Sequence, residues 1–142
     1  MPTKRSKKPA EIFISHSSKN RAFVERLVGA IEAHGLKVFY SKKSIKGAQQ
    51  WHDEIQTALG RCSWFVVVLS PDSIKSEWVK REFLYALQER RYKGRLMPVL
   101  RQSCKMSKLS FTLQSIQYID FRANFDAACA QLIARLKPAR GR

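Results

Sequence analysis

Acidic side chains are scarce in this chain: 11 Asp and Glu stand against 27 Lys and Arg, a formal net charge of +16 over 142 residues. Such an excess would attract polyanions, whether nucleic acid, acidic lipid headgroups or a phosphorylated small molecule. Its distribution weakens that inference. Lys4, Arg5, Lys7 and Lys8 at one end, and Lys137, Arg140 and Arg142 at the other, stand beside Pro or Gly. They read as a disordered basic leader (residues 1–10) and a basic tail (137–142) outside the fold. No aromatic-interleaved platform and no recognition helix accompanies the charge, so nucleic acid is a disfavoured partner.

Cysteine is equally sparse. Cys62, Cys104 and Cys129 are an odd set with neither CxxC nor CxxxH spacing, which argues against a zinc site and a disulfide framework and suits a reducing cytoplasm. No apolar run approaches the roughly 20 residues needed to cross a bilayer. The basic N-terminus is not followed by an apolar segment of signal-peptide length, so a soluble, cytoplasmic protein without membrane contact is expected. The six glycines form no Gly-x-Gly-x-x-Gly, no Gly-x-x-x-x-Gly-Lys and no Gly-x-Ser-x-Gly, which removes the usual phosphate cradles and the hydrolase elbow. The length suits one domain able to bury a core without disulfides or metal.

What is present is an alternation of strands and helices. Glu11 to Ser15 is a short apolar strand stopped by Ser15-His16-Ser17-Ser18, a stretch suited to capping a helix. Phe23, Leu27, Ala30, Ile31 and His34 recur at helical spacing over about 19–34, up to Gly35. Leu36 to Tyr40 is a second strand, followed by a basic loop, Ser41-Lys42-Lys43-Ser44-Ile45-Lys46-Gly47-Ala48, of a kind that often binds something. Trp51, Ile55, Ala58 and Leu59 suit a second helix closed by Gly60. Trp64 to Leu69 is the strongest strand, apolar throughout, as expected where both faces are buried in a parallel sheet.

A third helix is predicted from about Lys75 to Arg91, with Val79, Phe83, Ala86 and Leu87 as its apolar stripe and Gly94 beyond its end. A fourth strand covers Arg95 to Leu100. Residues 101–115 read as irregular, with Leu109, Phe111 and Leu113 tucking onto the core. A fifth strand covers Ile116 to Phe121, and Phe125 to Leu136 is a final helix stopped by Pro138. Five strands alternating with helices imply an α/β, flavodoxin-like three-layer fold: a five-stranded parallel sheet in the order 2-1-3-4-5 with helices on both faces.

In that arrangement the loops after the first three strands meet at one rim beside the switch point, where open α/β sheets bind ligands. Trp78 and Glu82 lie four apart at the start of the third helix, directly after the strongest strand, and so share a face there. His16, the basic loop, Trp78 and Glu82 are expected to converge at this rim. A receiver-type domain would carry clustered acids at the end of its first strand; Ser15 and His16 stand there instead.

Four segments in this order and spacing resemble a TIR domain, the Toll/interleukin-1 receptor-type module, of the short bacterial kind. They are Ile12-Phe13-Ile14-Ser15-His16-Ser17-Ser18-Lys19; Gly35-Leu36-Lys37-Val38-Phe39-Tyr40, leading into a BB loop that ends near Gly47; Phe65-Val66-Val67-Val68-Leu69-Ser70-Pro71; and Ser76-Glu77-Trp78-Val79-Lys80-Arg81-Glu82. The resemblance places a TIR domain over residues 11–136. It implies an NAD+ glycohydrolase or cyclase whose W-x-x-x-E glutamate is Glu82, with NAD+ as substrate and neither cofactor nor metal. Two departures lie in the BB loop: Ser41 stands where the family often has Asp, and Ala48-Gln49-Gln50 follow the loop glycine where Asp-Ser is common. They bear on product and assembly geometry.

Cleavage of the nicotinamide bond expels a neutral base from a cation, so no general acid is needed. One carboxylate beside the ribose can stabilise the oxocarbenium-like transition state. The same glutamate, judged from helix pattern alone, would be a surface carboxylate paired with Lys or Arg. Trp78 is expected to wall the cleft by packing or to stack on the substrate, and Phe39 to stack on nicotinamide or to fill the core. His16 is a candidate contact to ribose or diphosphate; Ser15 and Ser17 share that candidacy with helix capping. Lys42, Lys43 and Lys46 would attract the pyrophosphate or touch a neighbouring subunit. Asp53 and Glu54, adjacent on a helix, are not read as an acid/base pair.

The products implied are nicotinamide with ADP-ribose or a cyclic ADP-ribose, in anti-phage defence signalling. Self-association through the BB loop (41–50) and a TIR-containing or effector partner are implied with them. The alternative is a non-enzymatic interaction module that assembles with other TIR domains through the same loop and the third helix.

Overall fold

The computed structural model describes residues 10–40 and 48–137, with the backbone alone for 48–51. The leader before residue 10, the basic loop 41–47 with Lys42, Lys43 and Lys46, and the tail after Lys137 lie outside the described residues. The chain runs β1 (Glu11–Ser15), α1 (Arg21–Glu32), β2 (Lys37–Tyr40), α2 (Ala48–Arg61), β3 (Trp64–Leu69), α3 (Glu77–Gln88), β4 (Leu96–Leu100), β5 (Ile119–Asp120) and α4 (Phe125–Leu136). All strand pairs are parallel, in the order β2-β1-β3-β4-β5. This is the sheet expected from the alternation of elements.

Strand periodicity sorts the core into two layers. Ile12, Ile14, Val66, Val68, Met97 and Val99 face α1 and α4, where Phe23, Leu27, Ile31 and Leu132 meet them. Phe13, Phe65, Val67, Leu69 and Leu100 face α2 and α3, against Ile55, Leu59, Val79 and Phe83. β3 is buried on both faces from Phe65 onward, as its unbroken apolar run requires. α3 and α4 begin on side-chain caps: Ser76 accepts from the Val79 N–H, and Asn124 from the Ala127 N–H. Gly35 and Gly94 adopt φ of +82° and +75°, the left-handed turn that an L side chain resists.

Several boundaries differ from expectation for local reasons. α1 is shorter, because Ser18–Asn20 form a 3₁₀ turn before it. α3 is trimmed in the same way by 3₁₀ turns at Ser73–Lys75 and Arg90–Tyr92. Gly60 does not close α2, which runs on to Arg61. β5 keeps only Ile119 and Asp120, since Phe111–Ser115 form another 3₁₀ turn. Pro98 in β4 has no N–H to donate, and the β4–β5 ladder begins only at Val99. Leu109 and Leu113 are buried as expected, whereas Phe111 is 78% exposed.

One buried polar contact stitches the α2/α3 layer. The hydroxyl of fully buried Tyr92 donates to the Leu59 carbonyl at 2.6 Å, one of the last-turn carbonyls of α2 that the helix itself leaves unpaired. Tyr92→Phe should cost about 1–2 kcal/mol in urea unfolding, because that carbonyl stays buried without its donor. A loss below about 0.3 kcal/mol would mean that water replaces the hydroxyl.

Candidate active site

β1 lies between β2 and β3, so the chain leaves it in one direction for β2 and returns on its other side for β3. The switch point is therefore the carboxyl end of β1, where Ser15 stands level with Val67 of β3. Alternation along β1 turns Ser15 to the same side as Phe13, toward α3. From α3, Glu82 reaches back to it: the Ser15 hydroxyl donates to Glu82 Oε1 at 2.6 Å. One turn earlier on α3, the Trp78 indole Nε1–H donates to Oε2, also at 2.6 Å. Both distances lie at or below the short end for their donor types, as for donors facing a charged acceptor.

Glu82 is only 4% exposed. Among the described residues, no Lys or Arg forms an ion pair with it. The surface ion pair suggested by helix pattern alone is thus replaced by a buried carboxyl held by two neutral donors. Burial pushes its pKa up to about 7, and the bonds from Ser15 and Trp78 act in the opposite direction. The protonated form therefore persists to a higher pH than in a solvated glutamate.

Beside it opens a cavity of about 140 Å³, lined by His52, Ile55, Leu59, Trp78, Glu82 and Tyr85, with Gln56 and Arg81. His52 meets Trp78 edge-on, with ring centroids 5.1 Å apart. Neither His52 nor Tyr85 carries a sequence signal of its own. Both enter the site because α2 and α3 pack side by side on the same sheet face, a relation that periodicity within one helix does not encode.

The other site candidates are placed elsewhere. His16 lies at the rim after β1 but against Tyr40, with centroids 6.0 Å apart, and Tyr40 packs into the α1/α4 layer. His16 is 8% exposed, and its Nδ1, sealed from solvent, has no hydrogen-bond partner among the described residues. Burial lowers its pKa to about 4, partly offset by the Ile14 backbone, so the ring is neutral at pH 7. Ser17 caps the turn that follows, accepting from the Lys19 N–H at 3.2 Å. Phe39 is on the α3 side but stacks on Phe13, with centroids 5.4 Å apart. It lines a separate cavity of about 370 Å³ with Asp53, Glu54, Thr57 and Arg61. Of the predicted set, the structure joins Ser15, Trp78 and Glu82. Lys46 lies outside the described residues.

The TIR domain family matches residues 12–133 of the chain. An NAD(+) hydrolase, PdTIR, from Paracoccus denitrificans is 30% identical over 135 residues, covering 91% of this chain and 45% of that protein. A 2′ cyclic ADP-D-ribose synthase, AbTIR, from Acinetobacter baumannii is 29% identical over 105 residues, covering 72% of this chain and 39% of that protein. The chain thus spans less than half the length of these curated relatives. The TIR domain of the Toll-related receptor TRR-2 from Hydra magnipapillata superposes with a TM-score of 0.71 at 20% identity, covering 87% of this chain and 94% of that one. With the parallel 2-1-3-4-5 sheet, and a Trp78–Glu82 pair at its switch point, this chain belongs to the TIR domain family.

Proposed function

We propose that the chain is an NAD+ nucleosidase, with Glu82 as its catalytic residue. The observation that carries this reading is the carboxyl of Glu82, buried with no counter-ion among the described residues, tied to Ser15 and Trp78 and open to an aromatic-walled cavity at the switch point. Once ionised, a carboxylate in that position costs stability unless a cation comes to meet it. The nicotinamide riboside of NAD+ is such a cation. As its C–N bond breaks, the electron pair leaves with neutral nicotinamide and positive charge spreads over the ribose. The ionised carboxylate stabilises that charge, and the lone pairs not used by Ser15 and Trp78 can accept ribose hydroxyls. Water then attacks to give ADP-ribose, or a nucleophile of the same molecule attacks to give a cyclic product. The names of PdTIR and AbTIR support the two outcomes respectively.

A cavity of about 140 Å³ falls below the range of roughly 300–1,000 Å³ usual for whole ligands. It suits one ring, so the rest of the dinucleotide would extend over the rim, past His16 and Ser17. In the proposed active form a second protomer covers that part through the BB loop, in a cytoplasmic setting. No helix among the described residues is long and apolar enough to cross a membrane.

The interaction-module reading draws on Leu84 and Tyr85, which α3 leaves substantially exposed. Chromatography of NAD+ incubated with the purified chain over a range of protein concentrations separates the two readings. Nicotinamide should appear, with specific activity rising as protomers associate. Silence across the whole range would favour the interaction module.

A further inference from the structure

We propose that Ser15 is a positioning residue: it fixes Glu82 to the sheet, favours its charged form, and does not touch the substrate. The inference deepens the nucleosidase reading and rests on it for its functional consequence. The sequence suggested that Ser15 either binds substrate or caps a helix, and the structure gives it a third role. Ser15 is 1% exposed, and its hydroxyl hydrogen is committed to Glu82 Oε1.

The two ties to Glu82 are not equivalent. Trp78 sits on the same helix, four residues earlier, so its bond ties Glu82 to its own helix and not to the sheet. Ser15 belongs to β1, 67 residues away in sequence. It alone references the carboxyl to the strand that forms the switch point. With both oxygens held from different elements, the plane of the carboxyl group is fixed as well as its position.

The donors also differ in what they tolerate. An indole N–H can only donate, whereas a serine hydroxyl can rotate and accept. A proton arriving on Glu82 is therefore best placed on Oε1, where Ser15 can turn from donor to acceptor, while Oε2 keeps its bond from Trp78. Ser15 bonds the carboxylate more strongly than the acid, because a charged acceptor strengthens the bond. Among the described residues, the other titratable or charged groups at the cavity are His52 on α2, and Arg81 and Tyr85 on α3. Among the described residues, only Ser15 and Trp78 hydrogen-bond to Glu82.

The test is a ¹³C NMR titration of protein labelled at the glutamate side-chain carboxyl, with the Glu82 resonance identified by its loss in Glu82→Gln. This measurement needs no turnover. In Ser15→Ala the Glu82 midpoint should rise by about one pH unit, and Ser15→Thr, which keeps the hydroxyl, should return most of the shift. In NAD+ turnover, Ser15→Ala should lower kcat on the order of 10-fold at pH 7 with little change in KM, and less as the pH rises. A midpoint within about 0.3 unit of the native one overturns the inference. So does a raised KM with kcat intact, which would make Ser15 a substrate contact. If the native protein is silent toward NAD+, the nucleosidase reading fails; if Glu82→Gln cleaves NAD+ as fast as the native protein, the catalytic role of Glu82 fails; in either case the titration still decides whether Ser15 positions Glu82.

Discussion

Glu82→Gln should reduce nicotinamide release by about a hundred- to a thousand-fold in kcat, with a much smaller change in KM for NAD+. Glutamine keeps the shape of the side chain and both tethers. Its carbonyl oxygen accepts from the Trp78 indole, and its amide donates to the Ser15 oxygen once that hydroxyl turns to accept. What disappears is the negative charge. The substrate is cationic before the bond breaks, but its charge moves onto the ribose only as nicotinamide departs, so the missing charge is felt mainly in the transition state. Steady-state kinetics at a protein concentration where native activity has saturated would check this. A variant within tenfold of the native kcat would mean that binding and strain at the cavity carry the reaction and that the carboxylate does not.

The sequence revealed features that reside within one element and concealed those that need two elements to be docked. Trp64 to Leu69 is legible because burial on both faces demands an apolar residue at every position, and Phe125 to Leu136 because its pattern is amphipathic and Pro138 follows it. The Trp78–Glu82 pair is legible for the same reason: four residues on a helix place two side chains together whatever surrounds them. Gly60 misleads, since a glycine near a helix end resembles a stop signal. Here α2 continues through it, with the Cys62 N–H bonded to the Ala58 carbonyl. The fifth strand is overestimated because alternation in Ile116 to Phe121 looks strand-like, while a 3₁₀ turn ending at Ser115 delays the chain's arrival at β4. At the site, the bond from Ser15 to Glu82 depends on the face that β1 presents and on how α3 lies over it. His52 depends on α2 packing beside α3. His16, adjacent to Ser15 in sequence, is carried by strand alternation toward Tyr40 and the opposite layer.

The burial of both Glu82 and His16 gives the second large effect, on stability. Burial raises the Glu82 carboxyl from 4.5 to about 7, so between those values the folded state holds a proton that the unfolded chain releases. The stability contributed by protonated Glu82 is complete below about 4.5 and is lost as pH rises through 7. His16 has the opposite sign. Burial lowers it from 6.5 to about 4, so the unfolded chain holds the extra proton, and stability rises as pH climbs from 4 to 6.5. In the native protein the two slopes nearly cancel across the shared window. Glu82→Gln removes one and leaves the other. The variant should therefore gain on the order of 3 kcal/mol relative to the native protein between pH 4.5 and pH 7.5. Its unfolding free energy should climb with pH where the native curve stays nearly flat. Urea unfolding of both proteins at half-unit pH intervals measures the difference, and parallel curves would show that Glu82 is already ionised in the folded state at pH 5.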